Sequence, residues 1–484
     1  MNSTVIHEPH DRTRSEAQQP SENHLDTGFS WAAARHGELA GPARGLGVNI
    51  AYEAVGRHVD AGHGDQPALI AIAPTGPVER WTYTALDWGA SKVARRLRAL
   101  GFGPQDRVFT LLGPCPALFL TALGTWKNRG VLCPLFSAFG PEPIEQRMNL
   151  GQAKVLVTTT ELYRRKIAPI RDRLSSLEQV LLVGGVAGVE GHAGVESFGV
   201  SMLAGDGAFE NELTSPDEVA LLHFTSGTTG APKAALHVHD AVLAHRVTAR
   251  TALDICPGDV YWCTADPGRM TGVPYGIIAP LAAGATVVVD EADFDAARWL
   301  RILNEHEVNV WYTAPTAVRR LMHLDASVFD ACDFPALRFI ASAGEPLDPR
   351  AVTWAERAFG LPVHDNWWQT ETGAIMIGNT RGKRIKPGSM GRPLPGIEAV
   401  VMQRRPDGGV EFTTGPDARG ELVLRPGWPS MFRGYLNDQE RYRHCFEDGW
   451  YLTGDLVTVD ADGYYWFMGR ASDPSSPEPA QTEP

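Results

Sequence analysis

Residues 225–233 read T-S-G-T-T-G-A-P-K, and the fold expected for this chain turns on that stretch. Four hydroxyl side chains, two glycines and Lys233 follow the apolar run Val219-Ala220-Leu221-Leu222, and a mixed segment with the period of a helix comes next. The order predicts a buried strand ending in a tight loop that binds a polyanion. Glycines let main-chain N–H groups turn toward one point and let a phosphate approach closely, the hydroxyls donate, and the lysine adds a mobile point charge. The stretch is not G-x-x-x-x-G-K-[ST], so nucleotide hydrolysis of the P-loop kind is not implied. Pro232 lacks an N–H just before the lysine, so the loop is expected to embrace phosphates without capping them by a helix end. The competing reading is plain loop composition, because Ser, Thr and Gly gather in turns. A lysine closing a run that follows a buried-strand signal favours phosphate.

Bulk properties narrow the function. A chain of 484 residues has room for about three domains or subdomains, and 43% hydrophobic with 21% charged residues is the balance of a soluble globular enzyme. A formal net charge of -13 argues against a nucleic-acid partner, which needs clustered positive charge. Cysteines at 115, 133, 256, 263, 332 and 445 have no C-x-x-C spacing, so reduced structural thiols are expected. No apolar stretch reaches membrane-spanning length, and the polar start MNSTVIHEPHDRTRSEAQQPSENH lacks the core of a signal peptide. A cytoplasmic protein without a membrane partner is the expectation.

Along the chain, residues 1–25 are polar and aperiodic, which predicts a disordered tail. Residues 26–385 alternate short apolar runs with helical periods, the pattern of an α/β body with mixed layered sheets. Val48–His58 reads as a short amphipathic helix within it. Residues 386–470 are richer in strand signals and predict a small β-rich subdomain, and 471–484 form a second disordered tail. Within this frame A-G-E-P at 343–346 offers a bend facing a nucleotide through Gly344 and Pro346, with Glu345 as a cap of the following segment. In W-W-Q-T-E-T-G at 367–373 the aromatic pair offers stacking surface, Thr370 an oxygen ligand and Glu371 a hard carboxylate suited to magnesium. Asp455 can accept hydrogen bonds from a ribose. His237 and His239 read as packing or solvent-facing residues.

Together these separated motifs resemble the adenylate-forming enzymes, and specifically the acetyl-CoA synthetase branch of the acyl-CoA synthetases, over roughly residues 48 to 473. The resemblance implies that a carboxylic acid attacks the α-phosphorus of ATP in the presence of magnesium, giving acyl-adenylate and pyrophosphate, and that coenzyme A then takes the acyl group. It implies a phosphate grip by Thr225, Ser226, Gly227, Thr228, Thr229, Gly230 and Lys233. The adenine-facing turn would be Gly344, Glu345 and Pro346, with Asp365 and Trp367 completing that pocket. Thr370 would meet the α-phosphate, Glu371 the magnesium, and Asp455 with Arg470 the ribose. Lys233, Thr370 and Glu371 would thus be the catalytic groups.

For the acyl pocket, Trp368 matches a bulky residue that shortens the cavity in acetyl-specific relatives. Arg269 stands where those relatives carry tryptophan, Met270 and Ala343 where they carry valine, and Thr271 keeps its expected type. Two readings of Arg269 stay open: it binds a second polar or acidic group on the substrate, or it faces solvent with no effect. The resemblance also implies a small movable carboxy-terminal domain, for which no segment remains after Ser472 and Asp473. Three alternatives follow: a separate partner supplies that domain, the chain works on one half-reaction from supplied acyl-adenylate and coenzyme A, or it only binds nucleotide or acyl-CoA.

Overall fold

The computed structural model describes residues 28–202, 209, 214–226, 231–329, 332–405 and 409–472. The tail expected over 1–25, the loop tip 227–230 and most of 471–484 lie outside the described residues.

Apolar runs without alternation, such as V-W-Y-T at 310–313 and T-V-V-V-D at 286–290, are buried along their whole length and form the middle of a nine-stranded sheet. Such runs suit parallel strands covered on both faces. The strands lie in the order Arg392–Pro393, Ile377–Gly378, Val363–Trp367, Phe339–Ser342, Val310–Thr313, Val260–Cys263, Thr286–Asp290, Pro67–Ile72 and Val78–Thr82. From Val363–Trp367 to Pro67–Ile72 neighbours are parallel, and the outer strands are antiparallel. Helices Ala296–Glu305 and Pro349–Phe359 make two of the crossovers, and each begins at an aspartate, Asp295 or Asp348, whose side chain accepts from a first-turn N–H.

A seven-stranded sheet runs Val195–Ser197, Gln179–Val183, Val155–Thr159, Arg107–Leu111, Val131–Pro134, Val219–Ser226 and Pro232–Val238. Helices Tyr83–Ala99, Pro116–Lys127 and Ala241–Leu253 fill the space between the two large sheets, and one apolar cluster draws Leu69 and Val287 from the first sheet and Val108 and Leu132 from the second. The first two helices cross closely enough that a Cβ on Gly124 would sit 2.5 Å from the Val93 side chain. Helix Pro116–Lys127 is accordingly apolar and buried all round.

The third sheet is small and antiparallel: Val410–Thr413, Ala399–Arg404, Arg419–Leu424, Trp450–Val459 and Phe446–Glu447, with Tyr465–Arg470 also paired to Trp450–Val459. The fold is therefore the expected α/β body with mixed layered sheets and a small β-rich part.

Two local features differ from expectation. The residues directly after the phosphate stretch are strand Pro232–Val238, antiparallel to Val219–Ser226, and the helix that the period announces is Ala241–Leu253 behind it. Ala, Leu and Lys favour helix weakly, whereas here the segment is paired on both edges: Leu236 N donates to Gly434 O (3.0 Å) and Leu436 N to Ala234 O (2.8 Å) on the side away from its hairpin partner. The helical stretch near Val48–His58 is buried at every residue from 48 to 56 and lies sandwiched, with no solvent face there.

Candidate active site

Part of the candidate set lies at the carboxyl ends of two neighbouring parallel strands, where loops leave the sheet and main-chain groups are free to meet a ligand. Phe339–Ser342 runs into Ala343-Gly344-Glu345-Pro346, and the adjacent Val363–Trp367 runs into Trp368-Gln369-Thr370-Glu371. Gly344 turns with φ +103°, a conformation that glycine alone adopts without strain. Gly344 and Pro346 are exposed. Glu345 caps a different helix from the one expected: its Oε1 accepts from Thr316 N (2.9 Å) at the start of Pro315–Leu321, and its Oε2 pairs with Arg319 (3.0 Å). Proximity across the sheet, absent from the linear sequence, decides that partner.

The turn at 369–373 is fixed from below. Trp428 Nε1 and Ser430 Oγ both donate to Thr372 O (2.7 and 2.8 Å), Phe432 N donates to Glu371 O (2.9 Å), and Thr372 Oγ1 accepts from Gln369 N (2.9 Å). His245 Nε2 meets Gly373 O at 2.9 Å and His237 Nδ1 meets Ser430 O at 3.2 Å. Burial depresses both imidazoles, His237 to about 4 and His245 to about 3. Gly373 has φ +70°, and a Cβ there would come within 2.1 Å of Ser430 O.

Glu371 and Thr370 are half-buried on this turn. The Tyr435 hydroxyl donates to Glu371 Oε1 at 2.6 Å, and burial together with the Glu371 charge raises the phenol far above its usual range. Lys233 Nζ lies 5.4 Å from the centroid of the same Tyr435 ring. Thr225 and Lys233 are register partners at the mouth of the hairpin, and Ser226 pairs with Pro232. The hairpin tip carrying Gly227, Thr228, Thr229 and Gly230 falls outside the described residues.

Asp455 and Arg470 face each other in register and form an ion pair. Asp455 is buried, and its Oδ2 accepts from Trp367 Nε1 and Gln369 Nε2, each at 2.8 Å. Tyr451 in turn donates to Gln369 Oε1 at 2.9 Å. The small sheet is thereby tied to the turn that carries Glu371. Asp365 is fully enclosed in its strand, where burial pushes its carboxyl well above the usual range, and its main-chain oxygen accepts two bonds of 3.0 Å from Asn379.

Trp368 packs against an apolar cluster that includes Tyr275 and Tyr312. Trp368 Nε1 donates to Tyr312 Oη (3.1 Å) and the indole stands edge-on to Tyr275, with centroids 5.0 Å apart. Ala343 is buried in the same cluster. Met270 and Thr271 open the short turn Met270–Gly272 and are half-buried. Arg269 is exposed, and its guanidinium stacks 4.7 Å over the Phe136 ring. Sequence reasoning named neither Tyr435 nor Gln369 as site residues. The aromatic run G-W-P-S-M-F-R-G-Y and the glutamine inside W-W-Q-T-E-T-G were the available signals.

A family model for AMP-binding enzymes matches residues 57–436. The chain belongs to that family. Among family members, acetyl-coenzyme A synthetase of Bacillus subtilis is 38% identical over 454 residues, covering 92% of this chain and 76% of that protein. Acetyl-coenzyme A synthetase of Methanothrix thermoacetophila is 35% identical over 452 residues, covering 88% and 68%. The crystal structure of Brucella canis acyl-CoA synthetase superposes with a TM-score of 0.81 at 29% identity, covering 92% of this chain and 79% of that one. This AMP-binding enzyme is an acyl-CoA synthetase-like ligase on the acetyl-CoA synthetase branch. No helix among the described residues is long and apolar enough to cross a membrane.

Proposed function

We propose that this chain activates a short carboxylic acid with ATP and magnesium and passes the acyl group to coenzyme A. The observation that carries the reading is the joining of three separate elements at one turn. Glu371 and Lys233 share Tyr435, and the Asp455–Arg470 pair is bonded to Trp367 and Gln369 a few residues before Glu371. In the first step a carboxylate oxygen bonds to the α-phosphorus while the bond to the bridging oxygen breaks and pyrophosphate leaves. Thr370 and Lys233 would donate to the phosphate oxygens, and Asp455 would accept from the ribose hydroxyls. In the second step the thiol sulfur bonds to the acyl carbon, AMP departs and the thiol loses its proton.

Glu371 suits magnesium, which is commonly held by one or two carboxylates together with substrate phosphates. Among the described residues Tyr435 alone hydrogen-bonds its carboxylate, on one oxygen, and no group of three or more His, Cys, Asp or Glu side chains forms a protein-only metal cage. Bound there, magnesium would offset the phosphate charge during transfer.

The acid is read as short because Trp368, braced by Tyr312 and Tyr275, closes the apolar side. Arg269 would favour a second polar or acidic group over plain acetate. Incubation with acetate, short dicarboxylates, hydroxy acids and bulkier acids, with detection of acyl-AMP and pyrophosphate, tests both statements. Tight nucleotide binding without adenylate from any acid would sink the enzymatic reading. An overwhelming preference for acetate, or an Arg269→Trp variant with unchanged preference, would remove the role of Arg269.

A further inference from the structure

We infer that Tyr435 is a positioning residue that sets the Glu371 carboxylate and the Lys233 ammonium in one frame. The inference rests on the functional reading above and adds to it a residue that the sequence motifs did not assign a role. Lys233 belongs to the seven-stranded sheet and Glu371 to a loop of the nine-stranded sheet, so their relative position depends on how the two sheets are joined. Tyr435 contacts both through different parts of one side chain. Its hydroxyl donates to Glu371 Oε1 at 2.6 Å, and its ring lies 5.4 Å from Lys233 Nζ.

The backbone around Tyr435 fixes the same frame. Ala235 and Tyr435 form an antiparallel bridge, flanked by the Leu236 N to Gly434 O and Leu436 N to Ala234 O bonds, so this segment extends the hairpin that carries Lys233. Three residues earlier, Phe432 N donates to Glu371 O at 2.9 Å. Tyr435 is itself 5% exposed and packed edge-on against Phe432, with centroids 5.1 Å apart. Its rotamer is thus set by packing before any ligand arrives, the condition for a preorganised charge site.

Because hydroxyl and ring address different partners, two substitutions separate their effects. Tyr435→Phe removes the donor to Glu371 and keeps the ring under Lys233. Tyr435→Leu removes both. The measurement is ATP affinity by calorimetry with and without magnesium, together with a thermal melt to establish folding. Tyr435→Phe is expected to cut the magnesium enhancement of affinity about tenfold, the worth of a hydrogen bond to a charged group, with magnesium-free affinity within about twofold of the parent. Tyr435→Leu is expected to lower both. In a Glu371→Gln background, Tyr435→Phe is expected to add no further loss of magnesium enhancement.

An unchanged or larger magnesium enhancement in folded Tyr435→Phe overturns the inference, as does full additivity with Glu371→Gln. Should Tyr435→Phe not fold, 3-fluorotyrosine placed at 435 in the otherwise unaltered chain gives a second readout. Its fluorine resonance is expected to move when magnesium is added to the ATP complex, and a resonance that stays put overturns the proposal. A parent chain whose ATP affinity ignores magnesium would instead overturn the functional reading, and this inference with it.

Discussion

Lys233 brings a positive charge to the mouth of a hairpin, where a substrate phosphate would meet it. Replacing it with alanine should weaken ATP binding by on the order of 1.5–3 kcal/mol, the range for one charge-assisted contact. Nucleotide titration of a folded Lys233→Ala variant checks this, and parent-like affinity would remove the lysine from the phosphate site. The histidines beneath the neighbouring turn make a separate prediction about acid. His237 and His245 are neutral when folded because burial depresses them to about 4 and 3, against 6.5 in the open chain. Above pH 6.5 neither state is protonated and the histidines do not affect the balance. As pH falls below 6.5 the unfolded chain takes up protons that the native protein refuses, so stability drops until the folded values are reached. At pH 5 each such imidazole should cost about 2 kcal/mol. Urea midpoints measured between pH 7.5 and 5 should fall steeply for the parent and less steeply for a His245→Gln variant. Parallel curves for the two proteins would count against buried neutral histidine as the cause.

At the scale of elements, the 369–373 turn is held by one strand, one helix and the 428–432 segment, and Gly373 is where they come closest. Alanine at 373 would have to hold φ +70° with its Cβ 2.1 Å from Ser430 O. Gly373→Ala should therefore destabilise the fold by on the order of 3 kcal/mol and loosen Glu371 with it. A calorimetric melt together with magnesium-dependent ATP titration reads both effects, and an unaltered melting temperature would show that the turn can shift freely. The same region separates what sequence could and could not reveal. Buried strands such as Val310–Thr313 and Thr286–Asp290 announce themselves by unbroken apolar runs, and helix Tyr83–Ala99 by its period, so the layered α/β class was legible. The loop chemistry named Glu371 and Asp455 as groups worth following, because their side-chain types suit metal and ribose, and the family resemblance added Arg470. Their neighbours were not legible. Tyr435 reaches Glu371, and Gln369 reaches Asp455, only after separate sheets have packed together, and no local pattern encodes that meeting. Strand Pro232–Val238, between the phosphate stretch and the helical period, was not legible for the same reason: pairing on both of its edges outweighs a weak helical preference. Arg269 sits in a turn-rich stretch without periodicity, so its exposure and its stacking on Phe136 had no signal in the sequence.

For the molecule as a whole, the candidate site is assembled from all three sheets: Lys233 from the seven-stranded sheet, Glu371 and Trp367 from the nine-stranded one, and Asp455 with Arg470 from the small antiparallel one. A nucleotide filling this site would bridge three bodies that also meet through apolar packing and through side-chain bonds such as Trp367 and Gln369 to Asp455. Opening of any one of them would then break the site and expel the ligand, so binding energy should stabilise all three against unfolding. At about 100 times its dissociation constant a ligand that binds only the folded state adds about 2.7 kcal/mol, equivalent to roughly a hundredfold fall in the open population. Hydrogen exchange in the presence of magnesium and ATP measures that population strand by strand. Slowly exchanging amides in Pro232–Val238, Val363–Trp367 and Trp450–Val459 should gain protection together and to a similar degree. Urea unfolding followed by tryptophan fluorescence should remain a single transition at a higher midpoint. Protection confined to the hairpin would mean that ATP touches the phosphate loop without engaging the other two sheets, and the assembled site would then have to be abandoned.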